Sequence, residues 1–375
     1  MPDGPASGVA TDRRWLRRAL RLAARGRYAV APNPRVGAVV VRDGEVVGEG
    51  WHRGPGRPHA EAEALAAAGG RARGATLYLN LEPCNHHGRT PPCTDAILAA
   101  GVARVVACHR DPNPRVRGGG FARLEGAGVA VGSGELAEEA VALNLHFLVP
   151  AALGRPTVTL KWAMSLDGRI ATAAGESRWI SSPKARRWAL ALREEHDAIA
   201  IGSGTALADD PRLDRRLGLA AGPILRVVLD RRLRLPPAAR MLDVRGPVVV
   251  YTESDDPARR SALEARGAEV ARLPGAGPAA VLADLASRGV GSLLVEGGGE
   301  VAAAFVAAGL YDRVHAVVAP LLVGGRRAPG PLGGGGTGPL AAAPRLDRLA
   351  VQRLGPDRVL SGLSPVTLRE LATLA

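Results

Sequence analysis

The chain has 375 residues, 46% of them hydrophobic, which is enough apolar material for two ordinary cores and excludes wholesale disorder. Its net charge of +13, nearly all arginine, is spread, with 19 basic against 14 acidic residues up to position 150 and 30 against 22 beyond it. With only 3% aromatic residues and no basic arm, that spread argues against a nucleic-acid track and for a phosphorylated small molecule as the partner of the arginines.

Asp12 is placed to cap a helix whose apolar face holds Trp15, Leu16, Ala19, Leu20, Leu22 and Ala23. Pro32-Asn33-Pro34 then reads as a rigid turn into two β-rich runs, 36–41 and 45–48, joined by Asp43-Gly44, a strong hairpin signal. Asn33 either caps that turn or lends its amide to a substrate pocket. A helix over 59–68 follows, then a buried strand over 75–81. Helices over 95–100, 120–127 and 135–144 alternate with strands over 103–107 and 128–131, which implies a central sheet with helices on both faces. Residues 147–156 read as a junction. Beyond them, strands over 157–162, 198–202, 224–230, 247–251, 292–295 and 314–319 alternate with helices over 183–195, 257–266, 279–288 and 301–308, a second α/β domain. The glycine-rich run 329–338 reads as a mobile loop without chemistry. Val295-Glu296-Gly297-Gly298-Gly299-Glu300 turns a buried strand into a helix start, a place where backbone N–H groups attract phosphate, although it is not the dinucleotide fingerprint.

The chemistry concentrates between His59 and Cys93. One histidine and two cysteines, Cys84 and Cys93, are the nitrogen and sulfur donors that Zn²⁺ prefers, and three protein ligands leave a tetrahedral position for water. Glu61, two residues past His59, is placed to handle a proton of that water. An H-x-E followed by P-C and a second cysteine is the arrangement of zinc nucleobase deaminases. The usual spacing of two residues between the cysteines is eight here, so a longer loop has to double back, and Gly88, Pro91 and Pro92 suit such a turn. Spacing alone leaves open a buried histidine with two inert thiols, or a closed structural site with His86 or His87 as fourth ligand. Cys108, at a strand end, reads as a buried inert thiol, and three cysteines make no disulfide framework. No apolar run reaches membrane-spanning length, so no membrane partner and a cytoplasmic location are expected.

Taken together, these motifs resemble the bifunctional riboflavin-biosynthesis deaminase/reductase family. The carriers are Pro32-Asn33-Pro34, His59-Ala60-Glu61 and the run from Leu81 to Cys93, then Lys161 with Ser165-Leu166-Asp167-Gly168-Arg169, Gly175 to Ile180, Gly204-Thr205 with Asp209-Asp210-Pro211, and Glu296-Gly297-Gly298. The eight-residue cysteine gap is that family's own pattern. The resemblance implies a cytidine-deaminase-like three-layer domain over 10–150 and a dihydrofolate-reductase-like α/β domain over 151–375. The first would deaminate 2,5-diamino-6-ribosylamino-4(3H)-pyrimidinone 5′-phosphate, with zinc on His59, Cys84 and Cys93 and Glu61 as the catalytic proton carrier. The second would use NADPH to reduce the ribosyl group of the product to ribityl. By the same likeness, cofactor contacts fall to Ala163, Trp179, Thr205 and Asp209, and to the helix start Gly298, Gly299, Glu300, Val301, Ala302, Ala303 and Ala304. Substrate contacts fall to Ser177, Arg193, Leu213, Arg216 and Glu296, with Lys161 on the ribose oxygens, Asn33 in the deaminase pocket and the two arginines suited to the phosphate. The residue after Asp230, a small hydroxyl residue in some relatives, is Arg231, which would favour NADPH over NADH. A homo-oligomer is expected.

Overall fold

The computed structural model describes residues 5–374 apart from Arg89, Pro114, Arg115, Arg117 and Ala276. Two compact units divide the chain, residues 1–154 with 368–375, and residues 155–367.

The first unit opens with α1 (Pro5–Ala23), which starts well before Asp12. Asp12 is therefore no cap. Its carboxylate accepts hydrogen bonds from the Tyr78 hydroxyl (2.9 Å) and both terminal nitrogens of Arg104 (2.8 and 2.6 Å), because a half-buried guanidinium beneath the helix requires an anion more than an exposed helix end does. The hairpin of β1 (Gly37–Arg42) and β2 (Glu45–Trp51) turns through Asp43 and Gly44, whose φ values of 52° and 77° are the left-handed pair that an Asp-Gly turn supplies. Then come α2 (Ala60–Ala68), β3 (Thr76–Leu79), α3 (Cys93–Ala100), β4 (Arg104–Ala107), α4 (Gly119–Gly126), β5 (Ala130–Ser133) and α5 (Ala137–Leu153). The sheet runs β2-β1-β3-β4-β5, with β1 antiparallel to both neighbours and β3, β4 and β5 parallel.

Alternation along β1 sorts the two helical layers. Ala38 and Val40 pack with Ala64 of α2, Ile97 of α3 and Leu124 of α4, while Val39 and Val41 pack with Leu16 and Ala19 of α1 and Ala140 of α5. Few large side chains fill these layers, so the elements approach closely. A Cβ at Gly48 would lie 2.2 Å from the Ala64 carbonyl oxygen, and one at Gly50 would lie 2.4 Å from that of Ala60. These two glycines let α2 sit directly on β2. Cys108 lies in the second layer, its thiol pushed up to about 12 by burial, as expected of an inert core cysteine. The junction expected over 147–156 is instead mostly helix, since α5 runs to Leu153 despite Pro150. Its break comes earlier, at Asn144 (φ −111°, ψ 18°), whose side chain exchanges two hydrogen bonds with the Arg35 backbone (2.8 and 2.9 Å). Burial of Leu148 and Val149 holds the last turns in place.

The second unit contains β6 (Thr157–Ser165), α6 (Pro183–Glu195), β7 (Ala198–Gly202), α7 (Ser203–Asp209), β8 (Leu225–Leu229), β9 (Val248–Thr252), α8 (Pro257–Glu264), β10 (Glu269–Arg272), α9 (Pro278–Ser287), β11 (Ser292–Glu296), α10 (Gly299–Ala307), β12 (Arg313–Ala319), β13 (Asp347–Leu354) and β14 (Asp357–Leu363). Its nine strands run β10-β9-β8-β7-β11-β6-β12-β14-β13, parallel except for the pairings of β14 with β12 and β13. One face packs Ile199, Ile201 and Val228 against Leu192 of α6 and Leu263 of α8, the other packs Val158, Leu160 and Val295 against Leu285 of α9 and Phe305 of α10. Sequence patterning misses α7, β10 and the β13–β14 hairpin. All of β13 except Leu354 is exposed, so it carries no inward-outward alternation to detect.

Candidate metal centre and reductase site

His59 stands at the N-cap position of α2, but its side chain makes no cap bond, which leaves the ring to turn inward. Its Nδ1 is 3.1 Å from Cys93 Sγ and 3.6 Å from Cys84 Sγ, and the three donor atoms lie within 4.8 Å of one another. Bond lengths near 2.3 Å to sulfur and 2.0 Å to nitrogen in a tetrahedron separate donors by roughly 3.5 Å, so the cluster fits Zn²⁺ with little movement. Neither His86 nor His87 joins the cluster among the described residues, which leaves three protein ligands, the number typical of a catalytic site. The long cysteine loop is closed by backbone bonds. Cys93, the first residue of α3, donates its N–H to Cys84 Sγ (3.4 Å), Thr94 donates its N–H to the Cys84 carbonyl (3.3 Å), and the Thr94 hydroxyl donates to Asn85 Oδ1 (2.9 Å). Arg89, in the same loop, lies outside the described residues.

Hydrogen bonding from Cys93, with a further contribution from the His59 ring, holds the Cys84 thiol well below its ordinary value, and the same hydrogen bond pushes the Cys93 thiol up. His59 is raised by its contact with Cys84. A dication would displace the remaining proton and take both sulfurs as thiolates. Glu61, on the first turn of α2 and 4% exposed, is raised above the usual carboxylate range, first by burial and then by Cys84.

A cavity of about 410 Å³ opens over the cluster, lined by Asn33, His52, Glu61, Asp111, Asn113 and Phe147 among others. Burial lowers the pKa of His52, which favours the neutral ring. Nδ1 donates to the Pro58 carbonyl (3.2 Å), which can only accept, so Nε2 must accept from the Asn33 amide nitrogen (2.9 Å). That fixes Asn33 with its oxygen as the atom left to receive a hydrogen bond from a ligand.

Asp111 and Asn113 were not anticipated from the sequence. They follow β4, and the region beyond the carboxyl ends of parallel strands is where ligands gather, so Asp111-Pro112-Asn113, with its likeness to Asn33-Pro34, was the available signal. The buried carboxylate of Glu82 organises this wall. It accepts from four backbone N–H groups, those of Asp111 (3.1 Å) and Gly118 (3.0 Å) at Oε2 and those of Gly120 (3.0 Å) and Phe121 (3.2 Å) at Oε1.

Asp111 supplies a pH test. Burial pushes its pKa up to about 7 against the bond from the Asn113 N–H, so across the window from about 4, its unfolded value, to about 7 the folded chain holds a proton that the unfolded chain releases. Stability is fully present below that window and falls as pH rises through it. Asp111→Asn should therefore flatten the decline in melting temperature of metal-free protein between pH 5 and 8. Parallel curves for wild type and variant would refute the assignment.

In the second unit, Glu296 at the end of β11 is register-paired with Lys161 on β6 and forms an ion pair with Arg193 of α6 at 2.8 Å. Both partners are largely buried, and Arg193 Nε and Glu296 Oε1 have no hydrogen-bond partner, so the pair has capacity for a polar ligand. Arg193 is thus committed to Glu296 and is not a simple phosphate clamp. Ala163 lies two residues along β6 from Lys161 and so on the same face. Gly297 and Gly298, with φ of 79° and 80°, carry the chain from β11 into α10, and Cβ atoms there would come within 3.3–3.4 Å of the Thr205 side chain. This is a cradle that only glycine leaves open, at a helix start whose N–H groups suit a diphosphate, so these residues fit a dinucleotide. Glu300 is exposed and Ala302 is turned into the core, so Ala302 can offer a ligand only backbone. Val301, Ala303 and Ala304 follow on α10.

The glycine-rich run 329–338, expected to be mobile, folds back here. Gly333 N–H donates to the Gly299 carbonyl (2.9 Å), and Gly334 N–H donates to Glu300 Oε1 (3.2 Å). Ser177 donates its hydroxyl to Asp209 (3.0 Å), while Trp179 is 68% exposed with the Arg186 guanidinium 4.4 Å above its ring. Leu213 has its side chain in the core and φ of 52°, so it too can meet a substrate only through backbone. Arg216 is half-exposed, and Arg231 is exposed beyond β8.

Comparison with known proteins identifies the assembly of these parts. Riboflavin biosynthesis protein RibD of Escherichia coli (strain K12) is 43% identical over 359 residues, covering 92% of this chain and 97% of the relative, and that of Aquifex aeolicus is 39% identical over 350 residues, covering 93% and 97%. The chain belongs to the RibD family. The RibD C-terminal domain matches residues 156–360, and the cytidine and deoxycytidylate deaminase zinc-binding region matches residues 9–109. Acinetobacter baumannii RibD (form 1) superposes with a TM-score of 0.81 at 37% identity, covering 95% of this chain and 99% of that one. The diaminohydroxyphosphoribosylaminopyrimidine deaminase/5-amino-6-(5-phosphoribosylamino)uracil reductase of Thermotoga maritima superposes at 0.80 with 35% identity and the same coverage. As a RibD protein the chain is a zinc-dependent deaminase and an NADPH-dependent reductase of riboflavin biosynthesis, acting on small phosphorylated pyrimidines. Among the described residues no helix is long and apolar enough to cross a membrane.

Proposed function

We propose that the two units divide the two reactions between them, the unit holding His59, Cys84 and Cys93 removing the ring amino group and the unit holding Lys161 and Glu296 reducing the ribosyl chain. The observation that carries the first half is one imidazole and two sulfurs converging beside a buried glutamate inside a single cavity. Zinc on that triad supplies a Lewis acid that lowers the pKa of water toward neutrality. Glu61 takes the proton of the attacking water and delivers it to the departing amino nitrogen, so that water is consumed, a C–N bond breaks, a carbonyl forms and ammonia leaves. Asn33, oriented by His52, and Asp111 with Asn113 hold the pyrimidine edge.

In the second unit, NADPH supplies a hydride. The Gly298 turn, the start of α10, Thr205 and Asp209, together with Ala163 and Trp179, would hold that cofactor. Lys161 steadies the ribose oxygens of the substrate beside the Arg193–Glu296 pair, Ser177 and the Leu213 backbone bound it, and Arg216 meets the phosphate. The even spread of charge favours a small-molecule substrate without nucleic acid, and a cytoplasmic location accords with the thiol ligands. The exposed apolar residues Leu349 and Val351 on β13 support association with a second copy.

Assays of ammonia release and NADPH oxidation on wild type and Lys161→Ala test the division. The variant should keep the first activity and lose at least tenfold of the second. Equal loss of both would end the assignment of separate sites.

A further inference from the structure

Residues 211–222 form no helix or strand, yet they are tied down as firmly as a core element. The carboxylate of Glu194, 2% exposed, accepts from four backbone N–H groups of this segment, those of Arg216 (3.2 Å) and Leu217 (2.9 Å) at Oε1 and those of Leu219 (3.2 Å) and Ala220 (3.1 Å) at Oε2. Arg215 fastens the same segment to the end of α6. It donates to the carbonyls of Arg193 (3.2 Å) and His196 (2.6 Å) and, from Nη1, to those of Ala221 (2.9 Å) and Gly222 (3.1 Å).

A surface connection could leave those amides to water. Burying an anion is costly unless hydrogen bonds compensate it, and a carboxylate whose lone pairs are all engaged in doing so has little freedom to shift. Position along α6 supplies the reason. Glu194 follows Arg193, which pairs with Glu296, so one helical turn references both the charged pair and the loop that presents Arg216. The Arg216 side chain, held at Nε by Asp214 (2.6 Å), remains 47% exposed.

We infer that Glu194 is a positioning residue of the reductase, whose buried carboxylate fixes the 213–220 backbone so that Arg216 meets the substrate phosphate. The inference rests on the reading of Arg216 given above. Glutamine at 194 would keep the shape but present an amide N–H₂ to two backbone donors, releasing half the clamp.

Steady-state reductase kinetics on full-length Glu194→Gln, Arg216→Ala and the double variant, with the phosphorylated substrate and its dephosphorylated counterpart, test this. Each single change should raise KM for the phosphorylated substrate on the order of tenfold and narrow the discrimination between the two substrates, and the double change should add little to Arg216→Ala alone. In Glu194→Gln, kcat and the KM for NADPH should stay near wild type. A lower melting temperature with unchanged KM and discrimination would make Glu194 a fold staple only, overturning the inference while Arg216 keeps its role. A silent Arg216→Ala would remove the reading of Arg216 and the inference with it. If Glu194→Gln does not fold, Arg215→Lys loosens the same segment from its other side and should give the same rise in KM; an unchanged KM there overturns the inference.

Discussion

Glu61→Gln should reduce ammonia release by about 10²–10⁴-fold while leaving zinc bound, because the proposal gives the carboxylate the proton transfers and it is not one of the three donor atoms. The change is nearly isosteric, and the site is buried on the first turn of α2, so the cavity wall keeps its shape. Metal analysis should return the wild-type zinc content. NADPH oxidation on already deaminated substrate should be unaltered, since that chemistry is assigned to the other unit. Turnover within tenfold of wild type would mean that another group carries the proton, and loss of the metal would mean that Glu61 helps to hold it.

The second large effect is expected far from any reacting atom, at Gly50. A methyl group there would sit 2.4 Å from the Ala60 carbonyl oxygen and 2.7 Å from both the Ala64 nitrogen and the Glu63 Cβ, and a helix backbone cannot give way as a side-chain tip can. Gly50→Ala must therefore push the first turn of α2 off the sheet, the turn that carries Glu61 and begins at His59. Overpacking of this kind costs roughly 2–3 kcal/mol, or ~5–10 °C in the melting temperature of a unit this size. Zinc retention against a chelator should fall with it. Gly70→Ala, where nothing lies within 4 Å, is the matched control and should be neutral. Equal behaviour of the two variants would show that α2 has room to shift.

The metal centre was legible because its chemistry is local. His59 and Glu61 share one helix start, and two cysteines bracket a Gly- and Pro-bearing loop, so donor type and spacing speak before any fold is known. Most strands of both sheets were legible from apolar runs for the same reason. Asp12 misled because a residue suited to capping was recruited to neutralise Arg104, which lies 92 positions away in the chain. The end of α5 misled because burial of Leu148 and Val149 outweighs the local cost of Pro150. The contacts proposed for the reductase could be named only through resemblance. Leu213 and Ala302 are ordinary core residues whose backbone alone is available, Lys161 and Glu296 meet through strand register, and no pattern within the sequence announces either kind of proximity.

Glu82 stands two residues before the ligand Cys84, and its four backbone bonds reach across to the segment bearing Asp111. The segment leading to Cys84 and the cavity wall bearing Asp111 are thus joined through one buried carboxylate. A change at Glu82 is therefore expected to disturb the strand end before Cys84 and the facing cavity wall together, although Glu82 itself is none of the three donors.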